Sequence, residues 1–365
     1  MQSALALEPC DAPYSGGASD PIVQTAEALA GMLAAGQPVG RDTLRELLNA
    51  ATGRSDAEGG WTLRGGYDAL ELAQVLFVTG ARSPIDESEP ASTLRRLEDL
   101  ASSLPTQTHR AEEQVALQAF STPLPLAWLA GRAARLSRAD LVLEPSAGTG
   151  LLACSAARAG CRLALNEISP GRRRCLAAAY PDATLSAHDG ELIHDLLDPA
   201  LCPTTVLMNP PFARSAGRGE DRYAAARHLL AALARLVPGG RLVAIMPESF
   251  SESGSGRALR AKANQQAALR LDALLAPGLF SKHGTGIAVR FLVYDKLRDD
   301  RVTTHAQVDR LAQLLCHVEA LTDRASTEAP ALASGRSRTL PLFRRGPAVA
   351  APVPAPRPKP LGCAP

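Results

Sequence analysis

The chain has 365 residues, 46% hydrophobic and 21% charged, a globular composition with apolar material for one large domain with appendages or for two domains. A formal net charge of +2 excludes whole-chain electrostatics as a source of nucleic-acid affinity, so any such binding must come from a local patch. Seven cysteines without a C-x-x-C pair point to neither a disulfide framework nor a metal site, and no apolar run approaches the roughly 18 residues of a membrane span.

Residues 1–20 lack a periodic pattern and are expected to be disordered, with no signal-peptide segments; the free thiols fit a cytoplasmic protein in a reducing compartment. Residues 21–105 read as a small helical region. "DPIVQTAEALAGMLAAG" opens on an Asp cap with proline in the first turn and closes at Gly36. "RDTLRELLNAA", "GYDALELAQVLFVTG" and "PASTLRRLEDLASSL" continue the helical spacing, and a packing or interaction role is expected for them.

From 106 to 300 short β-rich runs alternate with helices. "LVLEP", "RLALNE", "ATLSAH", "TTVLM" and "RLVAIMP" read as strands, with helical "GLLACSAARAG", "SPGRRRCLAAAY" and "RYAAARHLLAALARL" between them. The last helix stops at Pro238-Gly239-Gly240. "ALRLDALLAP" and "GIAVRFLVYD" read as a closing strand pair at an antiparallel edge. This alternation predicts a doubly wound, mostly parallel α/β sheet. Residues 301–328 are expected to form a C-terminal helix. Residues 329–365, with "GPAVAAPVPAPRPKPLGCAP", read as a Pro/Ala-rich linker leading to further sequence in a longer parent chain.

The first strand runs into "EPSAGTG", Glu144, Pro145, Ser146, Ala147, Gly148, Thr149 and Gly150. The glycines let backbone approach a ligand, and a following helix start offers N–H groups. The turn is neither G-x-G-x-x-G nor a P-loop. Glu144 suits an ammonium group. Glu167, at the end of the second strand and followed by Ile168, stands where an acid meets ribose hydroxyls in doubly wound folds, with a solvated strand-end acid as the alternative for this residue alone. Asp189 and Gly190 end the third strand, where an adenine amino group would lie. An amino-acid site, a ribose site and an adenine site in that order describe S-adenosylmethionine.

The fourth strand ends in Asn209, Pro210, Pro211 and Phe212. Two prolines stop a ladder and hold the backbone still. An exocyclic adenine amine is a poor nucleophile. The Asn209 side-chain oxygen and the Pro210 carbonyl can each accept one of its N–H bonds and stabilise developing positive charge. Phe212 can stack on an extruded base, worth roughly 1–3 kcal/mol.

"FSTP" (120–123), "EPSAGTG", "NEI" (166–168), "HDG" (188–190) and "NPPF" resemble, over residues 112–295, the ordered motifs of class I DNA N6-adenine methyltransferases in their γ arrangement. "WTLRGGYDALELAQ" (61–74), "VLMNPPF" and "KHGTGIAVRFLVYDK" (282–296) more closely resemble the N-terminal part of bacterial plasmid- and phage-borne methyltransferase/helicase fusions of the strawberry-notch type. The resemblance implies a Rossmann-like, mostly parallel seven-stranded sheet with an antiparallel edge. It also implies S-adenosylmethionine as cofactor, DNA as partner and a helicase region downstream. Phe120, Thr122 and Pro123 would border the methionine end of the cofactor. Many relatives carry an aromatic directly before Thr-Pro; here Ser121 intervenes. The target-recognition domain of γ-type restriction enzymes has no counterpart in residues 296–365.

Arg214 and Arg218, in the Gly-flexible segment after Phe212, are candidate phosphate contacts, with a solvated loop as the alternative. Lys282 and His283 could reach the target or its backbone, or simply form a turn. Arg172, Arg173 and Arg174 read as a solvated helix face. Two other functions compete: an RNA or protein-amide methyltransferase, and a non-catalytic methyltransferase-like module of a helicase fusion.

Overall fold

The computed structural model describes residues 20–105, 121–212, 214–215, 219–277, 279, 288–297, 299 and 301–324. Asp20 accepts from the Ile22 N–H at 2.8 Å and starts α1 (Pro21–Ala34), which ends before Gly36 at φ +69°. Next come α2 (Arg41–Thr52), ended by Gly53 at φ +69°, and α3 (Leu63–Thr79), whose cap Thr62 accepts from the Gly65 N–H. α4 (Pro90–Ser103) starts on proline. Leu29, Leu48, Leu72 and Leu97 are fully buried. These helices are continuous with the hydrophobic cluster on one face of the sheet, which also holds Val142, Leu207 and Val243.

The remainder runs α5 (Leu124–Ala133), β1 (Leu141–Glu144), α6 (Cys154–Arg158), β2 (Arg162–Asn166), α7 (Pro170–Ala179) and β3 (Thr184–Ser186). A 3-10 turn at Gly190–Leu192 leads into α8 (Ile193–Leu196) and β4 (Thr205–Met208), followed by a short hairpin, β5 (Arg214–Ser215) and β6 (Gly219–Glu220). Then come α9 (Ala224–Arg235), β7 (Arg241–Pro247), α10 (Arg257–Gln266), β8 (Ala268–Leu275), β9 (Val289–Asp295), β10 (Thr304–Val308) and α11 (Leu311–Glu319).

The sheet order is β10-β8-β9-β7-β4-β1-β2-β3, a mostly parallel α/β sheet of eight strands with an antiparallel side. β9 is antiparallel to both β7 and β8; the other pairings are parallel. Residues alternate between the faces: Leu141 and Leu143 join a second cluster with Val206, Met208, Leu242 and α9, while Val142 joins the first. Three expectations change. The sheet has one strand more than seven. The extra strand, β10, begins the segment expected to be all helix, so helix there is confined to α11. The segment after Phe212 carries the β5–β6 hairpin.

The chain lays down β1, β2 and β3 in one direction, then returns to place β4 on the other side of β1. Strand order therefore reverses at β1/β4, and doubly wound sheets hold ligands at the carboxyl ends of strands at such a point. Glu144 ends β1, and Asn209 follows the last residue of β4. The predicted linker and Cys10 and Cys363 lie outside the described residues. Burial pushes the Cys154 and Cys175 thiols up to about 12, so both behave as inert core groups.

Candidate active site

The Gly-rich turn is folded by its own backbone and by the next two elements. Gly148 at φ +57° and Gly150 at φ +92° occupy the left-handed region. The Ala147 N–H donates to the Asn166 carbonyl at 2.8 Å, and the Gly150 N–H to the Ala147 carbonyl at 2.8 Å. The Tyr180 hydroxyl donates to the Gly150 carbonyl at 2.6 Å. A Cβ on Gly150 would lie 2.5 Å from Tyr180 Cε2 and 2.9 Å from Leu176 Cδ2. Gly150→Ala is therefore expected to destabilise the fold by about 1–3 kcal/mol and to weaken ligand binding at the turn, measured by urea unfolding and ligand titration. α6 begins only at Cys154, and the Ala153 N–H is spent on the Gly150 carbonyl. The expected helix-start site directly after the glycines is thus replaced by tight turns.

Asn166 draws three strand ends together. Its Nδ2 donates to the Pro145 and His188 carbonyls, both at 2.9 Å, and its Oδ1 accepts from the His188 N–H and the Ser186 hydroxyl, both at 2.8 Å. Glu167 accepts from the Gly148 N–H and the Ser169 N–H, each at 2.8 Å, so it braces the turn as well as facing the β2 end. Ile168 beside it is 48% exposed. Asp189 accepts from the Glu191 N–H at 3.0 Å and caps the 3-10 turn. Gly190 is required by close packing: a Cβ there would lie 2.5 Å from His228 Nδ1. Burial lowers the pKa of His228, which sits 3.5 Å from Ser146 Oγ.

Glu144 is buried at the end of β1, and its Oε2 has no hydrogen-bond partner among the described residues. Burial pushes its pKa well above the usual carboxylate range, and the nearby Glu167 charge adds to that. An orphaned buried carboxylate oxygen is costly unless something pairs with it.

Asn209 is fixed from across the site, its Nδ2 donating to Thr122 Oγ1 at 2.9 Å. Anchoring the NH2 assigns the acceptor role to Oδ1. Thr122, Pro123 and Pro210 are buried, and Pro211 is half-buried. Phe212 is 5% exposed and belongs to the sheet's first cluster. A base can stack on it only when the groups covering the ring part.

The structure thus gathers Thr122, Glu144, the turn 145–150, Glu167, Asp189, Gly190 and Asn209 around the β1, β2, β3 and β4 ends. Arg214 lies in β5, while Arg218, Lys282, His283 and Phe120 lie outside the described residues. Arg172 departs from the expected solvated face: it is 5% exposed, with Nε 3.0 Å from Asp68 of α3. Residues not singled out from sequence also belong here. Glu71 of α3 accepts from Thr149 Oγ1 at 2.9 Å and from Ser121 Oγ. Among the described residues, no group of three or more His, Cys, Asp or Glu is placed to hold a metal ion, and no helix is long and apolar enough to cross a membrane.

No family model matches this chain, and no curated protein does. Solved structures that resemble it include a provisionally assigned class I S-adenosylmethionine-dependent methyltransferase from Listeria monocytogenes, at 13% identity and TM-score 0.47, covering 83% of this chain and 98% of that one. A type I restriction-modification methyltransferase subunit from Streptococcus thermophilus matches at 16% identity and TM-score 0.41, over 83% of this chain and 84% of that one. A provisionally assigned RNA methyltransferase from Pyrococcus horikoshii matches at 20% identity and TM-score 0.40, over 56% of this chain and 98% of that one. At identities and scores this low the likenesses decide nothing about this chain's activity.

Proposed function

We propose that this chain is an S-adenosylmethionine-dependent methyltransferase acting on an exocyclic amine, and that the amine is N6 of adenine in DNA. The observation that carries the proposal is the anchored amide of Asn209 at the end of β4, next to the Gly-rich turn at the end of β1. The residues present suit the cofactor. The orphaned Glu144 oxygen suits a cationic group, and Glu167 retains lone pairs for ribose hydroxyls after its two backbone hydrogen bonds. Exposed Ile168 and the Asp189–Gly190 turn suit an adenine ring. Thr122, Pro123 and the turn 145–150 complete the holding set.

S-adenosylmethionine would supply an electrophilic methyl group on a sulfonium, which leaves as the neutral thioether S-adenosylhomocysteine while the methylated amine gives up one proton to solvent. The protein's part is to hold the acceptor. Asn209 Oδ1 and the Pro210 carbonyl accept the two amine N–H bonds and keep the nitrogen lone pair out of the ring. They also stabilise the positive charge that develops on nitrogen. Pro210 and Pro211 fix those acceptors before the substrate arrives, which lowers the ordering cost at reaction. Phe212 stacks on the base once its cover opens. Arg214, Arg218, Lys282 and His283 supply phosphate contacts, and a strawberry-notch-type helicase region downstream supplies the approach to DNA; both rest on the sequence motifs.

Incubating the chain with radiolabelled S-adenosylmethionine and, in parallel, duplex DNA, single-stranded DNA, RNA and a protein mixture tests the acceptor. Label is expected in DNA. Label in RNA or protein instead would move the amine to a different polymer, and binding of cofactor without transfer to any of them would favour a non-catalytic module.

A further inference from the structure

α3 brings two acids, Asp68 and Glu71, that the strand-end site does not account for. They are 8% and 6% exposed. Buried carboxylates are costly unless paired, and an apolar side chain would serve a purely structural helix better. Asp68 is paired with Arg172 of α7 at 3.0 Å and lies 3.5 Å from Arg64. Arg172 in turn lies under the Gly-rich turn, where a Cβ on Gly148 would be 3.7 Å from its Nη1. This pair sets the position of α3 against the helix that follows β2.

Glu71 is bonded to the site itself. Its Oε2 accepts from the hydroxyl of Thr149, the residue between the two turn glycines, at 2.9 Å. Its Oε1 accepts from the hydroxyl of Ser121. Ser121 precedes Thr122, whose oxygen anchors the Asn209 amide. One carboxylate, from 78 and 50 residues earlier in the chain, therefore links the Gly-rich turn to the segment that orients the acceptor clamp. Ser121 is the residue that separates the aromatic from Thr-Pro, and its hydroxyl is spent on Glu71.

We propose that Glu71 is a positioning residue of the methyl-donor site: by holding Thr149 and Ser121 together it sets the spacing across that site, and α3, through this one side chain, is a working part of cofactor binding. The inference rests on the reading that this site takes S-adenosylmethionine.

The test is calorimetric titration of the full chain with S-adenosylmethionine and with S-adenosylhomocysteine. Glu71→Ala is expected to raise Kd for both about tenfold or more, from loss of two hydrogen bonds to a charged group. Glu71→Gln, whose amide can accept from one hydroxyl and donate to the other, should stay within a few-fold of the parent. Leu97→Ala in α4 loosens the helical core without touching the site. It should lower Tm and leave Kd unchanged, which a purely structural role for Glu71 would not distinguish from Glu71→Ala. Ser121→Ala removes one hydroxyl and keeps the acid; it should move Kd in the same direction by less, and it stands in if Glu71→Ala does not fold. Unchanged Kd in Glu71→Ala or Ser121→Ala, with the parent binding normally, overturns this inference alone. A parent chain that binds neither ligand overturns the cofactor reading and this inference with it.

Discussion

Asn209→Ala is expected to lower kcat for methyl transfer at least about a hundredfold, with a smaller change in cofactor Kd, because the lost acceptor acts on charge that develops in the transition state. The side chain is well suited to that role. Met208 before it is buried and paired with Ala244 of β7, so the strand end is fixed. The two prolines after it prevent the backbone from continuing the ladder. Its NH2 is bonded to Thr122, which leaves the oxygen as the amide's acceptor. Thr122→Val removes this hydrogen bond and weakens the hold on the amide. It should cost roughly tenfold in kcat, less than deletion of the amide itself. Single-turnover rates at saturating cofactor separate the two effects from binding. If both variants lower only the cofactor affinity, Asn209 belongs to cofactor holding and the clamp assignment is wrong.

Glu144→Gln is expected to change stability and binding in opposite directions. Burial raises the pKa of this carboxyl well above its unfolded value. For a group of that kind the folded state gains its full relative stability below the unfolded pKa, and loses it as pH rises through the folded pKa. The ligand-free parent should therefore lose stability relative to Glu144→Gln as pH climbs above about 4, the carboxyl's unfolded pKa, until the raised folded pKa is passed. Urea unfolding of both proteins at several pH values reads that loss. A cationic ligand at the Glu144 oxygen reverses the balance, because it favours the ionised acid. Cofactor binding should then release a proton from the parent, and its affinity should rise with pH up to the free-protein pKa of Glu144. Glu144→Gln should bind at least tenfold more weakly at neutral pH and release no such proton, as read by calorimetry in buffers of different ionisation enthalpy. Equal proton release by the two proteins would place the cation elsewhere.

Much of the sheet could be read from sequence because its strands are buried on both faces and end in distinctive residues. "LVLE", "RLALN" and "TVLM" are short and mostly apolar, and Pro145, Ser169 and Pro210 follow within three residues, as where buried parallel strands give way to turns. β10 escaped because it is an edge strand with mostly exposed side chains; in "THAQV" only Ala306 and Val308 are apolar, too little alternation to stand out, and backbone pairing with β8 holds it in place. The helical spacing of Leu311, Leu314, Leu315 and Val318 then drew the whole segment towards a helix. Arg172 belongs to a run of three arginines, a pattern that on its own indicates a solvated face. Its partner Asp68 lies 104 residues away, a distance no local pattern bridges. Glu71 had a signal of its own. Asp68 and Glu71 share a helix face with Arg64 at a spacing that equally suits a solvated stripe, so the signal was only that two acids stand among Ala69, Leu70, Leu72 and Ala73. The strand-end positions of Glu144, Glu167 and Asn209 follow from the order of strands, and that order was legible. The Thr122–Asn209 bond and the burial of Phe212 are tertiary, and only the folded chain reveals them.

The central claim is that the end of β4 presents an adenine amine to the methyl donor. It is tested most directly by methylating DNA with isotopically labelled S-adenosylmethionine, digesting the product to nucleosides and separating them by mass spectrometry. The label is expected in N6-methyldeoxyadenosine, and Asn209→Ala should leave none. Label on cytosine carbon, on guanine, or on no nucleoside at all while the parent binds the cofactor would contradict it.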